Sequence, residues 1–320
     1  MKKNLFLIAI SLMLIFLGAC SNNTGSENTS TNGNDTISKE NNDETPKKGG
    51  ELRVALGTNL SNLDPIQGSA GHDHIFLYNI FDTLIEWNNK LEMEPGLAES
   101  WEIPDEKTII LHLREGVTFH DGTPFNAEAV KVNLDRANSE YSKISDLINI
   151  ESTEVVDNYT IKLNLKKPDS SILMALSDRG GMMISPEVLK SENLDEFKPI
   201  GTGPFKFESW VPNGDLVLIA NKNYWREGLP YLDKMTITPM TDENTRINSL
   251  VSGQIDIAFP IYTNNVTHLQ KNEKIQLVTE KQIQSWQVYL NIAKPPLDNK
   301  KVRQALLYAI DREAMNNAIF

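Results

Sequence analysis

The sequence predicts an α/β fold, and three observations carry that reading. Segments that alternate with period two, such as Glu51–Leu56 and Thr160–Leu165, have the pattern of half-buried strands. Interspersed with them are apolar stripes at helical spacing, such as Val130, Leu134 and Ala137, or Ile247, Leu250 and Val251. The chain has 320 residues and a single cysteine, Cys20, so apolar cores and not disulfides must hold it together. That length is enough for more than one core.

The first element is not part of the body. Lys2 and Lys3 precede an apolar run from Leu5 to Phe16, and Leu17-Gly18-Ala19 leads directly into Cys20. A positive start, a short apolar centre and small residues at a cut site describe a secretory signal over residues 1–19. About 14 apolar residues are too few to cross ~30 Å of hydrocarbon. Small residues followed by cysteine resemble the lipobox of bacterial lipoproteins, in which the acylated cysteine becomes the new N-terminus. The alternative is a plain signal peptide with an incidental cysteine. The expectation is a protein outside the cytoplasmic membrane, held to the lipid bilayer through acylated Cys20 and a second acyl chain. In a Gram-negative cell that location would be periplasmic. From Ser21 to Lys48 the only aliphatic residue is Ile37. Residues 20–48 are therefore expected to be a lipidated cysteine and a disordered linker, spanning on the order of 30 Å.

The body opens at Gly49-Gly50 with the strand Glu51–Leu56, which Asn62-Leu63-Asp64-Pro65 breaks with turn chemistry. Residues 71–83, with Ile75, Tyr78, Ile80, Phe81 and Leu84, read as helix. Strands Ser100–Ile103 and Thr108–Leu113 flank the turn at 104–107. Asn126 is placed to cap a helix with the Val130, Leu134 and Ala137 stripe. A hairpin follows, Glu154–Val156 and Thr160–Leu165, joined through Asp157-Asn158. Ser185-Pro186 reads as a helix start. Strands are then expected at Phe205–Trp210, Leu216–Ala220 and Lys234–Thr238, a helix at Thr241–Ser252, and strands at Ile255–Phe259, Ile275–Thr279 and Trp286–Asn291. Val302–Phe320 reads as one amphipathic helix.

A formal net charge of -12 and a pI near 5.0 exclude nucleic acid as a partner, because little is available to neutralise phosphates. No stretch after the signal is apolar enough to span a membrane. Neither G-x-S-x-G nor H-E-x-x-H occurs, so an enzyme is not expected.

Several blocks, in order, resemble the family 5 solute-binding proteins (peptide/nickel class) of bacterial ABC importers. They are Glu99-Ser100-Trp101, the run from Leu113 through His120-Asp121-Gly122-Thr123-Pro124 to Val130, Gly201-Thr202-Gly203-Pro204-Phe205-Lys206-Phe207, and Asn223-Tyr224-Trp225. Thr245-Arg246 with Gly253-Gln254-Ile255-Asp256, Pro295-Pro296-Leu297-Asp298, Val302-Arg303-Gln304-Ala305 and Tyr308–Glu313 complete the set. The resemblance covers residues 49–320. It implies a two-lobed periplasmic-binding-protein-like fold in which cleft closure buries the solute. It places the first lobe at 49–87 and 199–285, an inserted subdomain at 88–198, and a hinge crossing with the start of the second lobe at 286–320. Members continue further, so the second lobe is expected to be largely missing. The implied partners are a peptide solute and membrane permease subunits with their cytoplasmic ATPases. The protein is expected to be a monomer, with no cofactor and no chemistry on the ligand. Nickel or haem binding, or a non-transporting remnant with an adhesion or signalling role, are the alternatives.

Candidate solute contacts follow from position. Asn59, Ser61 and Asn62 lie just after the first strand, where an open α/β sheet presents its cleft, although capping or turn roles suit them equally; Asp64 reads as structural. Gly180 and Gly181, after Arg179, allow close backbone approach to a ligand, and Met182 offers a soft contact; a simple loop is the alternative. Trp286 is placed to stack on solute or to fill the core, and Trp87, Trp101, Trp210 and Trp225 read as core. Gly201-Thr202-Gly203 is followed by a strand, so it reads as a chain reversal and not as a phosphate loop. His120-Asp121-Gly122 reads as a turn. His72, His74, His112 and His120 raise metal binding, but residues two apart on a helix face away from each other, and no metal is expected.

Overall fold

The computed structural model describes residues 46–68, 72–190, 197–279 and 288–319. Cys20, the linker up to 45 and Trp286 lie outside the described residues. Alternation turns Val54 and Leu56 of β1 (Glu51–Leu56) toward one core, and Ala55, on the opposite face, is buried as well. β1 lies between β10 (Lys234–Pro239) and β11 (Ile257–Phe259) and runs parallel to both. β9 (Leu216–Ala220) pairs antiparallel with β10, and β8 (Phe205–Trp210) pairs antiparallel with β9. The resulting sheet has the order β11-β1-β10-β9-β8.

A second sheet is antiparallel throughout, in the order β4 (Ala98–Asp105), β5 (Thr108–Leu113), β7 (Thr160–Leu165), β6 (Ile150–Asp157). The inward residues Ile109, Leu111, Leu113, Ile161, Leu163 and Leu165 meet α2 (Ala127–Ala137), which buries Val130, Leu134 and Ala137. Asn126 Oδ1 accepts from Ala129 N at 3.0 Å and caps this helix. β2 (Ile85–Trp87) and β3 (Met93–Pro95) form a small ribbon beside it.

Two apolar cores result, one under each large sheet. The chain crosses between them at Ile80–Ile85: Ile80 and Phe81 belong to the five-stranded core, Leu84 and Ile85 to the four-stranded one. It returns at 181–183 alongside this crossing. Leu84 N donates to Gly181 O at 3.0 Å, Met183 N to Asp82 O at 3.3 Å, and Thr83 bridges Met182. The junction is locked by Asp82, 6% exposed. Its carboxylate accepts from Thr202 Oγ1 (2.9 Å), Tyr224 Oη (2.9 Å) and Trp225 Nε1 (2.8 Å). Burial pushes this carboxyl above its usual range even against those three donors.

Some elements differ from the sequence reading. Of the 71–83 helix, the described residues (72–83) hold only one turn, α1 (His74–Leu77); Ile75 and Tyr78 are exposed, while Phe76, Leu77, Ile80 and Phe81 are buried. Past Leu77 the chain continues only as a turn to Phe81, whose N donates to Leu77 O at 2.9 Å, and the backbones of Gly201 and Gly203 pack directly on Ile80 where the crossing begins. The Thr241–Ser252 helix is α5 (Glu243–Val251), capped by Asp242; it buries Arg246, Ile247 and Ser249 and leaves Val251 exposed. Ile275–Thr279 and Val288–Asn291 form no strand, because among the described residues no neighbouring strand pairs with them. The terminal helix is two: α7 (Lys300–Ala309) and α8 (Arg312–Ile319). Asp311 Oδ1 accepts from Ala314 N at 2.9 Å, starting the second helix afresh. Of the tryptophans expected in the core, Trp87 is 38% exposed. Trp101, Trp210 and Trp225 are partly buried against the cores.

Candidate functional site

Ligand crevices of open α/β sheets lie outside the C-terminal ends of their parallel strands. Here β1, β10 and β11 end together at Leu56, Pro239 and Phe259. The loop 57–68 leaves β1 at that edge and carries three of the candidate residues. Asn59 Nδ2 donates to Asn213 Oδ1 (2.5 Å) in the turn between β8 and β9. Its Oδ1 has no hydrogen-bond partner among the described residues. Ser61 is exposed, yet its N and Oγ donate to Asp73 at 2.9 and 2.5 Å. Asp73 itself is 0% exposed, so a buried carboxylate anchors the loop from behind. Asn62 Oδ1 accepts from Asp64 N at 2.9 Å, an Asx turn. Asp64 is buried and ion-paired to Arg136, which fits its structural reading. Asn62, Asp64, Gln67, Tyr141, Phe197 and Trp210 line a groove of about 470 Å³ beside the loop.

The second candidate loop, 177–182, meets the first. Arg179 Nη1 donates to Gly68 O at 2.7 Å. Asp178 Oδ1 lies 2.8 Å from His74 Nδ1 and accepts from Arg179 N at 2.8 Å. Burial alone would raise the Asp178 carboxyl, but His74 and the Arg179 amide outweigh it and hold the group below the usual range. Gly180, Gly181 and Met182 are the buried end of this loop. A Cβ on Gly181 would sit 1.7 Å from Leu176 O, and one on Gly180 would sit 3.0 Å from Ala175 O. The close approach that these glycines permit is thus to the chain's own backbone. Met182 is 3% exposed and belongs to the five-stranded core.

The remaining motifs hold the two halves of the fold together. In the His120-Asp121-Gly122 turn, His120 N donates to Gly201 O and Nε2 lies 2.9 Å from Gly203 O. Asp121 Oδ2 accepts from Ser185 Oγ at 2.6 Å. Among the described residues no group of three or more His, Cys, Asp or Glu could hold a metal, and no helix is long and apolar enough to cross a membrane. Asp73, which anchors the candidate loop, and Arg246, buried in α5, are two residues whose burial sequence reasoning missed. Asp73 stood in view only as part of a His-rich run, and Arg246 only as one residue of a family block.

Residues 92–320 match the bacterial extracellular solute-binding proteins, family 5 (middle), and the chain belongs to that family. It is 38% identical over 275 residues to the glutathione-binding protein GsiB of Salmonella typhi and 37% identical to GsiB of Escherichia coli K12. Each alignment covers 84% of this chain and 54% of the relative, so the chain spans about half the length of the curated relatives it matches. Among solved structures it is similar to NikZ of Campylobacter jejuni in complex with Ni(L-His), at 28% identity and a TM-score of 0.72, over 83% of this chain and 54% of that one. It is also similar to DppA of Helicobacter pylori in complex with the peptide STSA, at 28% identity and a TM-score of 0.71, over 86% and 59%. The α/β fold is that of the periplasmic binding proteins.

Proposed function

We propose that the chain recognises short peptides outside the cell and hands them to the permease subunits of an ABC importer, with closure of a cleft and no chemistry on the solute. The observation that carries this reading is the edge where three parallel strands end. There a loop of amide and hydroxyl side chains, Asn59, Ser61 and Asn62, is fixed from behind by buried Asp73 and flanked by Arg179. Such groups suit the amides and charged ends of a peptide, which fixed polar partners can recognise while side chains remain free. The names of the relatives support the same class: one set is called glutathione-binding, and DppA is described with a peptide. In this reading Gly180, Gly181 and Met182 back the solute-facing loop, Trp286 stacks on the solute, and acylated Cys20 anchors a monomer to the membrane.

A thermal-shift and calorimetry panel on the purified chain tests it, with glutathione, dipeptides, STSA, Ni(L-His) and haem as probes. A peptide-dependent rise of several degrees is expected. A response to Ni(L-His) or haem alone would replace the substrate class, and silence across the panel would leave the non-transporting remnant. Release of Cys20→Ala protein from cell membranes into the medium is the expected outcome for the anchor.

A further inference from the structure

We infer that Arg246 is the positioning residue of this cleft edge: its guanidinium touches the first residue after each of the three parallel strands and so sets the course of the loop carrying Asn59, Ser61 and Asn62. The inference rests on the reading of that loop as solute-facing. Arg246 projects from α5 and is 0% exposed. Its Nη2 donates at 2.6 Å to the carbonyl of Pro260, which follows β11. Nη1 donates to the carbonyl of Met240, which follows β10. Gly57 follows β1, and a Cβ there would lie 3.0 Å from Pro260 Cδ, 3.1 Å from Nη1 and 3.2 Å from Cζ, so the guanidinium and the proline it holds together occupy the space that a side chain would need. Gly57 N donates to Phe259 O at 2.8 Å and Met240 N to Leu56 O at 2.7 Å, drawing the three strand ends around one planar cation.

The chemistry singles out arginine. A rigid fork of five donors can serve two carbonyls on separate strands, whereas a lysine ammonium is a point donor on a flexible stem. Both acceptors are neutral carbonyls, and Nε is buried with no hydrogen-bond partner among the described residues. The carboxylates of α5 are engaged elsewhere: Asp242 accepts from Thr245 N, and Glu243 accepts from Tyr262 N, each at 2.7 Å. A buried, incompletely paired cation is costly, and an apolar side chain would fill the same space at less cost. What arginine adds is a fixed geometry across three loops.

The test compares wild type with Arg246→Lys and Arg246→Gln, first by amide hydrogen exchange without solute and then by calorimetry with glutathione. Both variants are expected to speed exchange in segments 57–63, 240–242 and 259–262 by about tenfold or more, while β5 and β7 keep their protection. Glutathione affinity should fall about tenfold, as expected when a loop must be ordered on binding instead of beforehand. Lysine keeps the charge and should restore neither. Unchanged loop exchange, an equal rise in β5 and β7, or full rescue by lysine would each overturn the inference. If neither variant folds, Gly57→Ala crowds the guanidinium from the other side and must raise exchange in the same three segments. A wild type that binds neither glutathione nor any other peptide would sink the solute reading, and the exchange data would still decide the role of Arg246.

Discussion

Thr202, Tyr224 and Trp225 come from two separate sequence blocks, and a single carboxylate, Asp82, accounts for all three. His120 is a second residue whose surroundings decide its behaviour. Burial pushes it down from 6.5 to about 4; Lys206 adds to the shift, while the Gly203 carbonyl and Asp121 oppose it. Its Nδ1 is buried with no hydrogen-bond partner among the described residues, so the folded protein prefers the neutral ring. The unfolded chain therefore takes up this proton first as pH falls. The contribution to stability is intact above 6.5, declines as pH drops, and is lost below about 4. The loss is on the order of 3 kcal/mol at roughly 1.4 kcal/mol per pH unit. The difference in melting temperature between wild type and His120→Gln should accordingly narrow or reverse across that window. A difference that stays constant with pH would contradict the assignment.

At the scale of elements, sequence and structure coincide where the signal is local. β5 and β7 alternate, Asn126 caps its helix, and Asp157 Oδ1 accepts from Tyr159 N at 2.9 Å in the hairpin turn. The reading of 71–83 failed because what buries Ile80 and Phe81 is a distant glycine loop at 201–203, which no local period reports. Ile275–Thr279 alternates, but alternation names a face and not a partner strand. The site divides in the same way. Asn59, Ser61 and Asn62 are candidates by their place after the first strand, which the sequence displays, whereas Asp73, Asp82 and Arg246 act through partners that only folding assembles. Gly180 and Gly181 stand out for their permissiveness, but they sit in the 3₁₀ turn Arg179–Gly181, and the backbone that approaches them is the end of α3 (Ile172–Ala175) and its following residue, Leu176. Gly181→Ala should thus cost stability, at the upper end of the ~1–3 kcal/mol that overpacking brings. A denaturant melt reads it; a variant with unchanged midpoint and weaker solute binding would instead return Gly181 to the ligand.

The whole molecule depends on the contact between its two cores. The crossing at 80–85 and the return at 181–183 join them, and Asp82 is a carboxylate buried where they meet. Asp82→Ala leaves Thr202, Tyr224 and Trp225 without their shared acceptor, a cost on the order of 3 kcal/mol. The expected result is a split transition. Tryptophan fluorescence, which includes Trp225 at the joint, should change before far-UV dichroism, while the wild-type curves coincide. Coincident curves in the variant would mean that apolar packing alone couples the cores.

The strand-like seam where Asp82–Leu84 lies beside Gly181–Met183 has a further consequence. Everything between those points is a cassette whose two ends are stitched together by main-chain bonds, independent of what the cassette contains. The entropy of closing such a loop grows by only about 0.6 kcal/mol for each doubling of its length. Length in the cassette is therefore cheap at the seam, and what the five-stranded half demands of it is a few fixed contacts: Arg136 on Asp64, His120 on Gly201 and Asp121 on Ser185.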